Sequence, residues 1–347
     1  MNLDIALYLG QNGVTLGAIY ALLALALVLV FAVTKVIFIP QGELMTFGAL
    51  SLVSIHSGHA PKVVWLLVVL GVVAALLDAG QLLRHNRQGS RLAAVLAGDL
   101  VWPLLALPAA YLLPLSSIGY PGQILLALLV TVPLGPLLYR LVYQPVAQAS
   151  VLTLLLLSVA LHLALTTLGL FLFGPEGSRL PAFTDGSFTF AGLPVDYQTL
   201  WIVGLSAVLV LALFGFFNFT LYGKALRATA VNRTGAQLMG ISTAFAGKTA
   251  FTLAALIGAL SGILIASTTI IYYDSGFVIG LKGFVAAIIG GLASYPAAAA
   301  GSIFVGLVES FSSFWASAYK DVIVFALILP VLLWRSLGSH HAEEDEA

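Results

Sequence analysis

The stretch "LYGKALRATAVNRTGAQLMGISTAFAGK", residues 221–248, holds Lys224, Arg227, Arg233 and Lys248 and not one Asp or Glu. Four basic residues in 28 positions are out of keeping with a chain of 347 residues that is 61% hydrophobic and 8% charged. In a soluble domain roughly a quarter of the residues are charged. The segment must meet something outside an apolar phase, and the rest of the chain supplies that phase.

The mean hydropathy is +1.07, and long apolar runs recur at 16–33, 63–77, 92–113, 152–173, 200–217 and 322–334. Runs near the ~20 residues that cross a hydrocarbon core read as transmembrane helices. Hydropathy and turn signals divide the chain into eleven apolar segments: 11–33, 41–57, 62–80, 92–114, 122–140, 150–173, 199–219, 248–272, 277–293, 297–316 and 320–335. The fold class expected is all-α: a polytopic transmembrane bundle of roughly 9–11 membrane segments, some short or broken, forming one domain over 1–338. The start, "MNLDIALYLGQNG", has no basic n-region or small-residue cleavage site and is not read as a removable signal peptide. With no cysteine in the chain, disulfides, thiolate catalysis and Cys-based metal sites are excluded.

Charge gives the topology. Lys35; Arg84, Arg87 and Arg91 of "RHNRQGSR"; Arg140; the four of the opening stretch; and Arg335 make ten of the fourteen basic residues, and all fall on one side of the alternating segments. By the positive-inside rule that side is the cytoplasm, with the N-terminus out and the C-terminus in. Lys62, Arg179 and Lys320 fall on the other side, and Lys282 lies inside a segment. The outer side then has one substantial loop, 174–198, whose "GSFTFAG" suggests a small hairpin. The tail 339–347, ending "HHAEEDEA", is expected to be disordered.

Two segments share a pattern. "IFIPQGELMTFGALSLVS" (37–54) and "DSGFVIGLKGFVAAIIGGLAS" (274–294) each follow a long helix with a Gly-bearing, charge-carrying break and then a short apolar helix. They run in opposite directions, which points to an inverted repeat and to a transport pathway near the midplane.

The intramembrane charges are few. Glu43 in "PQGEL" either caps a helix beginning near Pro40 at the cytoplasmic interface, where a carboxylate suits the dipole, or lines a pathway. Lys282 pairs with Asp274 or Glu309, or snorkels to a headgroup; a structural ion pair is favoured over substrate contact. Glu309 is the other buried charge, with Ser310, Ser312 and Ser313 beside it able to bond across helices. The histidines form no metal pattern, and His162 stands alone. No Walker A pattern occurs and no nucleophile has a base beside it, which disfavours an enzyme. Runs such as "LAALIGALSGILIAS" suit close helix–helix approach.

Read as one helix, 224–239 puts Ala225, Ala228, Thr229, Asn232, Gly235, Ala236 and Met239 on one face, with Gly240 as its stop. A face of small groups lets another protein approach the backbone. An amphipathic helix lying on anionic lipid is the rival, but only Leu226, Val231 and Leu238 are available to enter the membrane. Docking to a cytoplasmic protein is favoured.

"GKALRATAVNRTGAQLMGIS" resembles the cytoplasmic loop of permeases from branched-chain amino acid ABC importers, the Liv (LivH-type) permease family. So do "GVTLGAIYALLALALVLVF", "GELMTFGAL", "YQPV", and "GLKGFVAAIIGGLASYPAAAAGSIFVGLVESFSS" leading into "YKDVIVFALILPVLL". The likeness covers most of 1–58 and 120–335. It implies that 221–248 is the coupling segment, with Gly223, Arg227, Ala228, Asn232, Gly235, Ala236 and Gly240 at the ATPase. It implies as partners two cytoplasmic ATPases, a second permease subunit, identical or homologous, a periplasmic substrate-binding protein and membrane lipid, with no nucleic acid. No cofactor is expected in this chain, since ATP and Mg would be bound by the ATPases, and no metal. The location implied is the bacterial inner membrane.

Pathway candidates are Gln41, Gly42, Glu43, Phe47, Gly280, Lys282, Gly283, Gly290 and Gly291, with Glu309 as a buried charge. Three departures stand out: Gln41 where the family has His, an apparent inserted helical hairpin at 61–115, and the ending "LLWRSLGSHHAEEDEA". The family mainly handles branched-chain amino acids, with relatives for urea, short amides and aromatic acids. A stand-alone secondary transporter would need a carboxylate relay, for which only Glu43, Glu309, Asp78 and Asp99 are at hand; a membrane-embedded enzyme would need a reactive constellation.

Overall fold

The computed structural model describes residues 3–84, 89–190, 193–291 and 294–333, and the side chains of these except 81–84, 89–99, 190 and 193. The expected tail 339–347, Arg335, His85 and Arg87 lie outside the described residues. In chain order the helices are α1 (Leu3–Thr34), α2 (Gln41–His56), α3 (Val63–Arg84), α4 (Gly89–Leu112), α5 (Tyr120–Thr131), α6 (Leu134–Leu138), α7 (Val151–Phe173), α8 (Tyr197–Phe219), α9 (Leu221–Val231), α10 (Arg233–Leu238), α11 (Thr243–Ile265), α12 (Ser275–Ile289), α13 (Tyr295–Trp315) and α14 (Lys320–Ala326). A π-helical turn follows α6 at Tyr139–Tyr143. The expected hairpin forms within the 174–198 loop, with β1 (Ser187–Phe190) antiparallel to β2 (Leu193–Asp196).

Among the described residues seven helical stretches are long and apolar enough to cross a membrane, and 100–112 and 275–289 are shorter apolar helices. α1 is the axis of the bundle, with 83% of its apolar window buried, against 22% for α7 and 17% for α8. The outer faces of α7 and α8 present Leu152, Leu156, Phe171, Leu211 and Phe214, all more than 60% exposed. Side chains of that kind on a full helix face belong against lipid.

Local chemistry sets the helix ends. Ser150, Thr220, Asn232, Ser242 and Ser294 each accept a hydrogen bond from a backbone N–H in the first turn of α7, α9, α10, α11 and α13, satisfying donors the helix leaves open. Gly174, at φ +84°, ends α7 in a conformation that an L side chain rarely adopts.

The segments 41–57 and 277–293 are shorter than full spans. α1 runs 32 residues and ends at Lys35, which has φ +61°. The chain then doubles back extended through 35–40 and starts α2 halfway into the bundle: Gln41 Nε2 donates to the carbonyl of Ala254, midway along α11, at 2.9 Å. Phe38 pins this return segment, its ring 4.7 Å from Phe251 and 5.9 Å from Tyr143. The second half repeats the plan in the opposite sense. α11 is followed by an irregular return through 266–274, with turns at 266–268 and 273–274, bonded to the loop by Ser178–Ile271 and by Leu180 N–H to Ala266 O at 2.9 Å, and then by the 15-residue α12.

The N-termini of α2 and α12 meet. A Cβ on Gly42 would overlap the carbonyl of Gly276, and one on Gly276 the carbonyl of Gly42. The two short helices also exchange partners: α2 packs on α11, where Gly48 meets Ala259 and Gly262 meets Met45, while α12 packs on α1, where Gly283 meets Leu23. Each short helix thus packs on the long helix that precedes the other.

The crossing makes a clear prediction. Gly276→Val should cost about 1–3 kcal/mol or more, by forced backbone displacement, and lower the thermal unfolding midpoint of the detergent-purified chain. Gly204→Ala on α8, where a new Cβ meets nothing within 4 Å, should leave it unchanged or raise it. Equal midpoints for wild type and Gly276→Val would show that the crossing is loose.

Candidate translocation site

Glu43 is 1% exposed and sits in the first turn of α2, deep in the bundle and not at an interface as expected from capping. Proximity to the helix N-terminus favours its charge, and its Oε1 lies 2.6 Å from His162 Nδ1 and 3.4 Å from Thr166 Oγ1 of α7. His162 is therefore not alone: its ring stacks on Phe277, with centroids 4.2 Å apart and planes at 21°. Glu43 and His162 are 119 residues apart, so no local motif announces the pair. A cavity of about 130 Å³, lined only by apolar side chains and glycine, adjoins it, with Phe277 and Gly280 in its wall.

Lys282, one turn further along α12, belongs to a second group. Its Nζ lies 2.5 Å from Glu309 Oε1 and 2.8 Å from Asp321 Oδ1, and Tyr20 donates to Glu309 Oε2 at 2.5 Å. The Asp321 oxygen has charge proximity without hydrogen-bond geometry. The expected partner Glu309 is there; the alternative, Asp274, gives way to Asp321 at the start of α14. Ser310 meanwhile donates to Leu9 O at 2.7 Å and receives Asn12 Nδ2 at 3.3 Å, tying α13 to α1. Three helices are thus joined by a buried group of Tyr20, Lys282 and Glu309, with the half-exposed Asp321 of α14 at its edge, and the group borders a cavity of about 490 Å³.

The remaining pathway candidates separate. Gly42 and Gly280 touch at the crossing, where a Cβ on Gly280 would stand 3.2 Å from Gly42 Cα. Gln41 is fully buried in the α2–α11 contact, with Gly258 leaving room for its amide. Phe47 is buried against Phe173, with ring centroids 5.8 Å apart, and Gly283 serves packing on α1. Gly290 and Gly291 lie at the other end of α12, against the start of α13 and, for Gly291, in a φ +84° turn.

The basic segment departs from the expected single helix. Asn232 (φ −145°, ψ 101°) breaks it into α9 and α10, its Oδ1 accepting from Gly235 N at 2.8 Å. The expected face is also split, with Ala228, Asn232 and Met239 outward and Thr229 and Ala236 inward. Gly223, Thr229 and Ala236 turn inward, and Gly223 packs on the backbone of Phe216 and Phe217. Arg227 donates to Asn218 Oδ1 and Arg233 to Ala147 O, both at 3.0 Å. Ala228, Asn232 and Gly240 face outward, and the outer surface carries Val231, Leu238 and Met239 at 84%, 84% and 83% exposure. Period-based placement agrees for Ala228, Asn232 and Met239; it does not hold for Ala236, past Asn232, because it assumed one continuous helix axis.

If the Lys282 cluster is a structural tie, Lys282→Met should lower stability by about 3–5 kcal/mol, the cost of an uncompensated buried charge, read as a fall in the unfolding midpoint in detergent. Lys282→Met with Glu309→Gln should recover most of that loss. A single variant as stable as wild type would remove the tie.

Comparison with known proteins gives the chain its family. The model of the branched-chain amino acid transport system / permease component family matches residues 90–332. The high-affinity branched-chain amino acid transport system permease protein LivH of Escherichia coli (strain K12) is 28% identical over 339 residues, covering 94% of this chain and 92% of LivH. The corresponding BraD of Pseudomonas aeruginosa is 25% identical over 340 residues, covering 95% of each. Among solved structures, PsaBC from Streptococcus pneumoniae in complex with Fab aligns at TM-score 0.37 and 14% identity over 92% of this chain and 90% of that one, too distant to bear on the fold. With its interlocked helices and buried polar pairs, this multi-pass chain belongs to the branched-chain amino acid transport permease family, as a transmembrane subunit and not an enzyme.

Proposed function

We propose that this chain forms half of the translocation pathway of an importer for branched-chain or related hydrophobic amino acids. Its partners in this proposal are a second permease subunit, a periplasmic binding protein and two cytoplasmic ATPases that bind ATP and Mg. It sits in the bacterial inner membrane with its N-terminus out and C-terminus in, as the distribution of basic residues supports. The observation that carries the proposal is the apolar knob of Val231, Leu238 and Met239, exposed beside Lys224 and Arg227 at the turn between two spanning helices. Large apolar side chains so placed mark a protein contact.

The connection from knob to pathway is short. α10 leads into α11, and α11 holds α2 through Gln41, Gly258 and Gly262. A push on α10 from a closing ATPase pair would shift α11 with α2 and part the Gly42–Gly276 crossing. This is a displacement between packed elements of the kind that switches transporters. The wholly apolar cavity at the crossing favours an aliphatic cargo over urea or short amides. The α3–α4 pair, packed on α5 and joined by Trp65 Nε1 to Tyr111 OH at 3.0 Å, is in this proposal an addition outside the pathway.

Two measurements test this. The tagged chain should co-purify with an ATPase pair, and Val231→Glu with Leu238→Glu should reduce capture at least about tenfold, as for loss of an interface anchor, with the unfolding midpoint unchanged. Unaltered capture would sink the docking assignment. Because the chain has no native cysteine, Thr184→Cys and Ala228→Cys can be probed with a membrane-impermeant maleimide on whole cells. Thr184→Cys should label and Ala228→Cys should not; the reverse pattern would invert the orientation.

A further inference from the structure

We infer that the crossing of α2 and α12 is a binding site for a zwitterionic aliphatic amino acid, with Glu43 taking the ammonium, Thr46 the carboxylate, and the adjoining cavity the side chain. The inference rests on the amino-acid reading above and adds the residues that would select the cargo.

Three buried polar atoms at or beside the crossing lack partners: Gln41 Oε1, on the side toward α11, and two that are neighbours along α2. Glu43 Oε2 and Thr46 Oγ1 make no hydrogen bond, although Glu43 is 1% and Thr46 0% exposed. Buried polar groups are almost always satisfied, and an orphan calls for an explanation. Thr46 does not make the bond to the carbonyl four residues earlier that Thr34 and Thr229 make, as helical hydroxyls commonly do; Thr131, at the end of α5, is likewise unpartnered. Glu43 and Thr46 are three residues apart and so neighbours on α2. Thr46 Oγ1 also stands where a side chain on Gly276 would lie, which places it at the meeting point of the two helices.

The Glu43 and Thr46 atoms are complementary to one kind of ligand. A carboxylate oxygen asks for a donor, best a compact cation; a hydroxyl offers a donor to an anion. An α-amino acid carries both groups on one carbon. A metal ion would want more ligands than Glu43 and His162 supply, and among the described residues no group of three or more His, Asp and Glu is gathered.

The cavity supplies the third contact. It measures about 130 Å³ and is walled by Ile37, Ile39, Phe277, Gly280, Leu281 and Phe284 among others. A dry apolar cavity of about 150 Å³ accepts benzene, so this one suits a branched chain of three or four carbons and is too small for an aromatic side chain with its methylene. Its walls are one residue removed from the polar atoms: Gly280 lies against Gly42, the neighbour of Glu43, and Phe277 stacks on the histidine that holds Glu43. Parting the crossing would join cavity, carboxylate and hydroxyl into one space.

The test uses the complete transporter in proteoliposomes, with its ATPases and binding protein, and reads ATP-driven uptake of radiolabelled leucine, alanine and phenylalanine. Leu281→Trp, which fills the cavity, should lower leucine uptake about tenfold or more while alanine uptake changes less than about twofold. Leu281→Ala should raise phenylalanine relative to leucine by about tenfold. Glu43→Gln should lower uptake of every amino acid at least about tenfold, with ATPase capture retained and partial recovery in Glu43→Asp. Equal loss of leucine and alanine in Leu281→Trp, an unshifted preference in Leu281→Ala, or full uptake by Glu43→Gln would each overturn the site. Absence of ATP-driven uptake of any aliphatic amino acid by the wild-type complex would overturn the amino-acid reading itself, and the site with it.

Discussion

The structure depends on two peptide backbones passing each other at Gly42 and Gly276 with no side chain between them. Helices in lipid have little hydrophobic reason to associate, because the acyl chains are as apolar as leucine; close backbone approach and buried polar contacts hold them instead. The glycines along α2, α11 and α12 meet that need at successive points, with Gly48 on Ala259, Gly262 on Met45 and Gly283 on Leu23. The non-helical returns at 35–40 and 266–274 lead into the two helices that cross. Their non-helical backbone survives at membrane depth because protein, not lipid, surrounds it.

Charge inside the bundle follows two different rules. The Lys282 cluster is nearly complete, with a cation held between two carboxylates and a tyrosine hydroxyl on the free oxygen of Glu309. Such a cluster joins α1, α12 and α13, with α14 at its edge. The Glu43 pair is incomplete, with one oxygen bonded and one bare. A low dielectric magnifies both the completed contact and the missing one. The contrast separates a tie that fixes structure from a group that awaits a partner.

The class and much of the plan were legible in the sequence. Hydropathy gave the spans, the Gly-bearing breaks before Leu44 and Phe277 marked the short helices, and "GSFTFAG" marked the hairpin. Glu309 could be matched to Lys282 because both are charges stranded in apolar runs. What stayed hidden were contacts between distant positions. Glu43 and His162 share no pattern, and Asp321, within the apolar segment 320–335, was not an expected partner of Lys282. The face of 221–248 was misread in part for another reason: Asn232 prefers to cap a new helix over continuing the old one, and the change of axis turned Ala236 inward. Periodicity describes a face only as far as the helix continues.

The partner exchange between the halves also governs how the chain can be made. α2 emerges from the ribosome roughly two hundred residues before α11, the helix on which it packs. Until then Gln41 has no carbonyl to bond, and the Pro40 turn would face lipid with open backbone groups, which hydrocarbon does not tolerate. The first third of the protein must therefore wait, held shallow or sheltered by the insertion machinery, until the last third arrives to close over it. On this geometry the bundle closes only when α11 and α12 are in place, so a chain ending short of residue 265 would lack the helix that holds Gln41.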